Sequence, residues 1–557
     1  MPAAARSCCP GPRSSASTAS AARRSTRRGR RMSRGREGRG RRYSPPGPLT
    51  CFSGSVPSAP RHPAHRKEGW GLGKEHFSLP NPASPPDAVA LSGPAGRLTY
   101  AALHGRVAAA AAALAAQGLG RGDRLAFLGQ NHPAQLVLLF ACARLGAILV
   151  PLNWRLAAPE LRFILDDSGA RLLAATREMA AAAGAAAPPG CALLDAEADW
   201  PAAAPPAAGA PDDPLLLVYT SGTTGQPKGA VLDQRALLAN AANARHAFAL
   251  TAADRVLTLL PMFHVGGLNI QTTPALLAGA EVVLLPRFDP EATFAAIAAH
   301  RPSLTLLVPA VMQALVAHPG WAAADLSSLR AVGAGSSEVP LPLIEAFHAR
   351  GIPVQQVYGA TETGPIAIVQ TREAALAAPG SLGAPALHGE ARVVDPRGRE
   401  APPGTPGEIQ LRGPHVARGY WNAPAATAAN FRDGWFRSGD VGLRDAAGRF
   451  WFTDRLKHLI ISGGENIYPA EVERILRTAP GVLEGAVCGR PDPRWGEVPV
   501  AVVVPGPGFE REAVLRHFEG RIARFKQPRA VVAVPALPRT ALGKVRVEAL
   551  REIAARG

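Results

Sequence analysis

Cysteine is scarce in this sequence, with six residues in 557. Cys8, Cys9 and Cys51 lie near the amino terminus, the other three are isolated from one another, and no Cys-x-x-Cys pair occurs. A disulfide framework or a cysteine-built metal site would need paired cysteines at short, regular spacing. The sequence therefore predicts neither, and it favours a reducing compartment, the cytoplasm.

Long apolar runs are lacking too. A membrane-spanning helix needs about 18–20 consecutive, mostly apolar residues, and no stretch of the chain meets that requirement. The amino-terminal residues are rich in Arg and Ser and contain no apolar segment of the kind found in secretory signals. We therefore expect no integral membrane segment.

Acidic residues are rare in one part of the chain only. Residues 1–75 hold fifteen Arg and two Lys against three Glu, a net charge of +14, whereas the whole chain carries +18. The rest is close to neutral, so a nucleic acid is not an expected partner. Residues 1–80 are predicted to be a basic, low-complexity, disordered extension. Three interpretations stay open: a start site assigned too far upstream, with Met32 or a later codon as the true start; a solvated tail; and a targeting or polyanion-binding arm.

Globular sequence begins near Ala88. Single hydrophobic cores stop growing at about 250–300 residues, so this length predicts more than one domain. Helical and strand patterns alternate, beginning with a helix over 101–117 and a strand over 124–128, which is typical of α/β layering. Residues 180–214 are Ala- and Pro-rich with little pattern, and we interpret them as a surface excursion. A second, smaller domain with its own strands and helices is predicted from Asp454 onward.

A loop rich in Gly and hydroxyl residues follows a predicted strand at 215–219. It reads Thr-Ser-Gly-Thr-Thr-Gly-Gln-Pro-Lys-Gly over residues 220–229. Glycine lets backbone N–H groups approach an anion closely, hydroxyls add donors, and the lysine adds a positive charge. This pattern favours phosphate binding, although it is not the usual P-loop; the alternative is a flexible surface loop. The candidate phosphate-binding residues are Thr220, Ser221, Gly222, Thr223, Thr224, Gly225 and Lys228.

The same segment resembles the signature of the AMP-forming adenylating enzymes, a superfamily that includes the acyl-CoA synthetases. Further motifs of that superfamily follow in the same order. They stand at residues 261–267 (Pro-Met-Phe-His-Val-Gly-Gly), 358–364 (Tyr-Gly-Ala-Thr-Glu-Thr-Gly), 407–409, 419–422, 433–440, 454–457, 462–467 and 538–544. On these motifs the chain is identified as a member of the superfamily from about Ala88 to its carboxyl terminus.

The resemblance implies an α/β fold in two parts. A large N-terminal adenylating-enzyme domain with layered sheets and helices would span residues 81–454, and a small mobile α+β C-terminal domain would span 458–557. Residues 455–457 would form the hinge, with Lys457 as the hinge residue. In the superfamily the small domain rotates between two half-reactions, so that one pose brings the catalytic lysine to the carboxylate and the other builds the tunnel for coenzyme A.

The resemblance also implies roles for individual side chains. Lys544 would bridge the carboxylate and the α-phosphate, Thr361 would meet the α-phosphate, and Glu362 would help hold Mg²⁺. Asp440 would bind the ribose hydroxyls, and His264 would stand between the acyl pocket and the coenzyme A tunnel. The remaining cofactor-binding candidates are Gly335, Tyr358, Gly359, Ala360, Arg455, Gly463 and Gly464.

These roles agree with the charge problem of the reaction. Adenylation joins two anions, so cations and N–H donors must gather around the α-phosphate, and a lysine is a compact point charge on a long stem. Each residue also has an alternative interpretation without catalysis. Lys544 would then be an exposed tail lysine, Glu362 a solvated charge, Asp440 a turn-forming residue and His264 a satisfied core residue.

Two positions depart from the superfamily pattern. Residues 333–337 read Gly-Ala-Gly-Ser-Ser in place of the commoner Gly-Gly-Ala form, which leaves the adenine contacts there open. His458 stands where the superfamily often has Asp or Glu.

The expected function is an acyl-CoA ligase with ATP, Mg²⁺ and coenzyme A. A medium- or long-chain fatty acid is the expected substrate, because residues 261–267 are apolar and Gly-rich and carry no acid to pair with an ammonium group. The alternatives are an aryl-propenoic or succinylbenzoate-type acid, and a stand-alone adenylation enzyme that loads a carrier protein. A homodimer is among the expected oligomeric states.

Overall fold

The structure is a computed structural model that describes residues 77–79, 87–203, 209–220, 227–462, 465–493, 495–522, 524–539 and 544–557. At positions 457, 465 and 466 it describes the backbone only. The predicted extension over 1–80 lies outside the described residues except at 77–79. Among the helices of the described ranges, none has the length and apolar character needed to cross a membrane.

The strands of the described ranges fall into four sheets. In chain order they are β1 (Val89–Ser92), β2 (Leu98–Thr99), β3 (Arg124–Leu128), β4 (Ile148–Leu152), β5 (Leu172–Ala175), β6 (Ala192–Asp195), β7 (Pro214–Thr220), β8 (Lys228–Asp233), β9 (Arg255–Thr258), β10 (Glu281–Leu284), β11 (Leu304–Leu307), β12 (Ala331–Gly335), β13 (Val354–Tyr358), β14 (Ile368–Val369), β15 (Ala384–Pro385), β16 (Glu390–Val394), β17 (Gly407–Arg412), β18 (Phe431–Arg432), β19 (Trp435–Arg444), β20 (Phe450–Arg455), β21 (Ile460–Ser462), β22 (Glu465–Ile467), β23 (Val482–Asp492), β24 (Gly496–Pro505) and β25 (Ala530–Ala533).

The α-helices alternate with these strands in the first part of the chain and cover the last sheet. They are α1 (Tyr100–Ala116), α2 (Pro133–Leu145), α3 (Ala158–Ser168), α4 (Ala180–Ala186), α5 (Gln234–Ala247), α6 (Val265–Asn269), α7 (Thr272–Leu277), α8 (Pro290–His300), α9 (Pro309–Ala317), α10 (Leu341–His348), α11 (Arg372–Ala377), α12 (Pro424–Asn430), α13 (Pro469–Leu476), α14 (Arg511–His517) and α15 (Val547–Arg556).

Two large, mostly parallel sheets form the first part of the fold. One has the strand order β15-β14-β13-β12-β11-β9-β10-β1-β2, and the other has the order β6-β5-β3-β4-β7-β8. Their central strands are buried along their whole length, as at β4, β5 and β11. Unbroken burial is expected where helices cover both faces of a parallel sheet. Because most neighbouring strands of each sheet run parallel, their carboxyl ends lie together at one edge of that sheet.

Helix α2 shows how the local sequence sets the limits of an element. It begins with Pro133 in its first turn, where the missing N–H costs no hydrogen bond. It ends at Leu145 and is capped by Gly146, whose φ of 66° is the left-handed conformation that suits a residue without Cβ. Between these limits nearly every side chain is apolar and buried, because the helix lies in the core of the layered domain.

Two sheets follow in the carboxyl-terminal third, the first antiparallel and the second antiparallel except for the parallel pair β24–β25. Strands β16 to β20 form one sheet, and β21 to β25 form the next, with the 3-10 turn Leu456–His458 between them. In β24 the side chains alternate, so that Ala501 and Val503 join one apolar cluster while Val500 and Val502 join another. This period of two buries both faces, with α13 and α14 on one side and α15 on the other. The expected α/β fold with a small α+β carboxyl-terminal part is confirmed; the limits at 454, 455–457 and 458 stay predictions.

Two local elements were not predicted. Residues 180–214, interpreted as a surface excursion, contain α4 and also β6, which pairs in parallel with β5. The alanines of α4 and the mostly exposed face of β6 give no apolar period in the sequence. The end of the predicted phosphate loop is also a strand, since β8 begins at Lys228 and pairs with β7.

Glu473 on α13 gives the small domain a pH dependence. Its Oε1 accepts a hydrogen bond of 2.9 Å from the backbone N–H of Val487, and burial raises the pKa of the carboxyl from 4.5 to about 7. The folded state therefore holds this proton more tightly than the unfolded chain does. The stabilisation is complete below pH 4.5 and is lost as the pH rises through 7, amounting to about 3 kcal/mol at most.

We expect Glu473→Gln to raise the unfolding temperature of the small domain at pH 8 and to leave it nearly unchanged at pH 5. Calorimetric unfolding of the full chain between pH 5 and 8 measures this difference. The matched control is Glu552→Gln, because Glu552 is an exposed carboxylate on α15. A pH-independent loss of stability in Glu473→Gln would show that the carboxyl is ionised in the fold.

Candidate active site

The candidate residues gather at one edge of the nine-stranded sheet. Strands β9, β11, β12 and β13 run parallel, so their carboxyl ends lie side by side. Residues 261–267 follow β9, Gly335 ends β12, and Tyr358 ends β13. Open parallel sheets bind ligands in the crevice at this edge.

Two glycines of this edge are required by packing. A Cβ on Gly335 would lie 2.3 Å from the carbonyl oxygen of Val357, and a Cβ on Gly359 would lie 1.8 Å from that of Pro365. Ser336, directly after Gly335, has a φ of 73°, a left-handed conformation that is uncommon for a residue with a side chain. The close contacts hold the backbone of both motifs in place beside the crevice.

Asp440 lies between Tyr358 and Arg455. Its Oδ2 accepts a hydrogen bond of 2.9 Å from the Tyr358 hydroxyl, and its Oδ1 lies 2.9 Å from Nε of Arg455. Asp440 and Arg455 face each other across β19 and β20. Burial, and then the charge of Asp440, hold the pKa of Tyr358 well above its usual value, so the phenol remains a donor. The result is a buried carboxylate fixed in orientation.

Glu362 has a partner that the sequence did not reveal. Its Oε1 accepts a hydrogen bond of 2.6 Å from the hydroxyl of Tyr420, and Glu362 itself is 8% exposed. Burial, and then the Glu362 charge, raise the pKa of Tyr420, which therefore stays protonated. Nζ of Lys228 lies 5.9 Å from the centre of the Tyr420 ring. Tyr420 thus connects the acid and the lysine of two separate motifs.

Strand β8 brings these groups together. Residues 418–421 run antiparallel beside it, with hydrogen bonds from Val231 N–H to the carbonyl of Gly419 and from Trp421 N–H to that of Gly229. The only sequence signal for Tyr420 was the motif at 419–422, to which no role had been given. The side chain is positioned by a backbone pairing that the sequence pattern did not predict.

Thr361 follows β13 at this edge, whereas Thr220 lies at the end of β7 in the six-stranded sheet. Thr361 is 7% exposed and opens a 3-10 turn, Thr361–Thr363, in which the Thr363 hydroxyl accepts from the N–H of Ala360. Thr220 ends β7 and donates a long hydrogen bond of 3.4 Å to the carbonyl of Lys228. The predicted residues Ser221, Gly222, Thr223, Thr224, Gly225, Gly463 and Gly464 lie outside the described residues, as does the side chain of Lys457.

His264 and Lys544 come together from the two parts of the chain. Burial lowers the pKa of His264 to about 4, and the positive charges of Lys544 and Arg155 add to this lowering. The imidazole is therefore neutral at pH 7, and Lys544 lies within electrostatic range of it. Lys544 is exposed on the segment that precedes α15.

Arg155 was missed from the sequence. Its guanidinium carbon lies 5.0 Å from the ring centre of Trp154 and 5.8 Å from that of Phe263. It follows the carboxyl end of β4, so the smaller parallel sheet contributes a cation to the same crevice. The signal was an arginine two residues beyond Asn153, directly after a buried strand. Together Arg155 and Lys544 make the region suited to anions.

The carboxylates of the crevice do not form a metal cage. No group of three or more His, Cys, Asp or Glu side chains with metal-binding spacing occurs in the ranges that the structure describes. A single buried carboxylate such as Glu362 fits Mg²⁺, since this ion is usually bound by one or two carboxylates together with substrate phosphates and water.

The family of the chain follows from comparison with known proteins. The family model described as AMP-binding enzyme matches residues 80–421, and the model of the AMP-binding enzyme C-terminal domain matches residues 471–544. The chain belongs to the AMP-binding enzyme family and is an AMP-forming acid–CoA ligase, an enzyme for which ATP, coenzyme A and a small-molecule acid are the substrates. The predicted superfamily and enzyme class are confirmed.

Particular relatives are similar over most of their length. The chain is 50% identical to indoleacetate–CoA ligase of Aromatoleum aromaticum over 493 residues, which is 85% of this chain and 96% of the relative. It is 45% identical to feruloyl-CoA synthase of Amycolatopsis sp. over 469 residues, or 83% and 94% of the two chains. Among solved structures, o-succinylbenzoate CoA synthetase from Bacillus subtilis, in complex with the acyl-adenylate intermediate, has a TM-score of 0.78 and 31% identity, covering 84% of this chain and 96% of that one.

Proposed function

We propose that this enzyme activates an aromatic carboxylic acid of the aryl-acetic or aryl-propenoic type as its CoA thioester. The observation that carries this choice is the 50% identity, over 85% of the chain, to a ligase named for indoleacetate. The feruloyl-CoA synthase, at 45% identity, is also named for an aromatic acid. Both similarities favour the aromatic alternative over the fatty acid that the apolar pocket segment suggested.

In the proposed first half-reaction, a carboxylate oxygen attacks the α-phosphorus of ATP. A mixed anhydride forms and pyrophosphate leaves. Lys544 lies between the two anions and offsets their repulsion, while Thr361 donates to the α-phosphate and Asp440 accepts from the ribose hydroxyls. Glu362 would hold Mg²⁺, which when bound supplies further positive charge at the phosphates. His264 lies beside the carboxylate as a neutral imidazole and does not compete with Lys544 for it, which agrees with the lowered pKa of His264.

In the proposed second half-reaction, the sulfur of coenzyme A attacks the acyl carbon and AMP leaves. Lys544 is no longer needed at the carboxylate, so the small domain turns about residues 455–457 and removes it. The 3-10 turn Leu456–His458, between the last strand of one sheet and the first of the next, is a short segment suited to this change. The Gly463-Gly464 loop stays the proposed lining of the thiol tunnel. A cytoplasmic location and a homodimer stay predictions.

Pyrophosphate release with a panel of acids tests the proposal. The panel contains indole-3-acetate, 4-hydroxycinnamate, cinnamate, 2-succinylbenzoate, octanoate and dodecanoate, each with and without coenzyme A. We expect kcat/KM for the aryl acids to exceed that for the alkanoic acids at least tenfold, with sustained turnover only when coenzyme A is present. A preference for dodecanoate would make a fatty acid the expected substrate again. Pyrophosphate release that coenzyme A does not accelerate would favour an enzyme that loads a carrier protein.

A further inference from the structure

A cavity lies directly behind the segment predicted to line the acyl pocket. Residues on β9 and β11, together with Gly267 of α6, line a small, partly open cavity with room for a single water-sized group (about 10 Å³). Gly267 belongs to the pocket segment itself, and a Cβ there would lie 2.3 Å from the carbonyl oxygen of Pro261. Because Gly267 is one of its lining residues, the cavity borders the segment that follows β9. Its lining residues are Leu257, Thr258, Leu259, Leu260, Gly267, Gln271, Thr272 and Leu306.

Gln271 is the unpaired polar side chain of this cavity within the part of the chain that the structure describes. It is 2% exposed, and neither its side-chain nitrogen nor its side-chain oxygen has a hydrogen-bond partner among the described residues. The threonines beside it differ, because Thr258 and Thr272 bond to each other through their hydroxyls at 2.7 Å, and the Thr272 hydroxyl lies 2.6 Å from the carbonyl of Gly267. Burying an amide in this state is costly, and native proteins rarely leave such groups unpaired without a function.

Gln271 lies beside β12, the strand that ends at the candidate nucleotide-binding residue Gly335. The residue stands between α6 and α7, and a Cβ built on Gly333 would lie 3.1 Å from its Nε2. Gly333 is two residues before Gly335 on β12. The amide thus lies against a position where the absence of a side chain leaves room.

We propose that Gln271 is a specificity-determining residue, whose amide hydrogen-bonds a polar atom at the end of the acid remote from the carboxylate. An indole N–H or a phenolic hydroxyl provides such an atom. A purely apolar tail would leave the amide unpaired, and a site built to bond an OH or NH group discriminates strongly against an analogue without it. The inference rests on the proposed function in that it takes the cavity as the far end of the acyl pocket.

Gln271→Met tests the proposal, because methionine has nearly the length of glutamine without its donor and acceptor. We expect kcat/KM to fall about tenfold for 4-hydroxycinnamate and for indole-3-acetate, and to change less than twofold for cinnamate and 1-naphthaleneacetate. Without substrate, the unfolding temperature should rise, since the variant removes two unpaired polar groups from the interior. An equal loss for both members of each pair, or no loss for either, would overturn the assignment.

A second pair of acids separates this proposal from the choice of an aromatic substrate. If the wild-type enzyme prefers alkanoic acids, 12-hydroxydodecanoate and dodecanoate replace the aryl pairs, and the same selective loss in Gln271→Met is expected. Gly333→Ala is the complementary variant, because its methyl group would meet Leu306, Gln271 and Phe248 at 3.0–3.3 Å. It should lower kcat/KM for acids with a distal polar atom more than for short acids such as butyrate; equal effects on both would place the cavity outside the acyl pocket.

Discussion

Replacing Lys544 with alanine should lower the rate of acyl-adenylate formation by about three orders of magnitude, while acyl transfer from a preformed adenylate to coenzyme A keeps at least half of its rate. The first step brings a carboxylate against a polyanion, and a single well-placed charge or donor is worth about 10²–10³ in rate in such steps. In the second step a neutral acyl carbon is attacked and AMP leaves. Lys544 therefore has a substrate carboxylate to stabilise in the first step only.

Two assays separate the half-reactions. Acid-dependent exchange of labelled pyrophosphate into ATP reports adenylation, and thioester formation from synthetic acyl-adenylate reports transfer. Arg546→Ala is the matched control, because Arg546 is an exposed cation two residues from Lys544. Lys544→Arg should recover part of the adenylation rate, since it keeps the charge but not its compact form. Equal losses in both half-reactions would assign Lys544 to the fold of the small domain instead.

The role proposed for Lys544 rests on the resemblance of one motif near the chain end to that of the superfamily. The described geometry adds only the electrostatic influence of Lys544 and Arg155 on His264. The alternation of buried strands and helices was likewise predictable, and the strand over 124–128 has the limits that the pattern indicated. Local composition is sufficient for such a strand, because its pattern lies within its own residues.

Contacts between distant segments could not be predicted in this way. Tyr420 reaches Glu362 across 58 positions of the chain, and it does so because residues 418–421 pair with β8, a strand hidden in the end of a loop motif. The isolated amide of Gln271 has no sequence signature either, since a glutamine between two helices is ordinary. Such groups are defined by what surrounds them in space, which depends on the order of the strands in the sheets.

The second large loss of activity is expected for a variant of Glu362, the carboxylate that accepts a hydrogen bond from Tyr420. Glu362→Gln should lower the rate of pyrophosphate release at 1 mM Mg²⁺ by about 10²-fold, because the amide keeps the shape of the side chain but loses the negative charge that a divalent cation requires. The loss should shrink as Mg²⁺ is raised, since the proposed defect is in holding the cation.

Tyr420→Phe should have a smaller effect of the same kind, about three- to tenfold. It removes the hydroxyl that donates to Oε1 of Glu362 at 2.6 Å but leaves the carboxylate, so it acts by positioning that group. Pyrophosphate release measured against Mg²⁺ concentration at saturating ATP and acid resolves both variants, with Glu373→Gln, an exposed carboxylate on α11, as the control. If Glu362→Gln lowered the rate equally at every Mg²⁺ concentration, the carboxylate would serve to orient Tyr420 and Lys228 beside the phosphates and would not be a ligand of the cation.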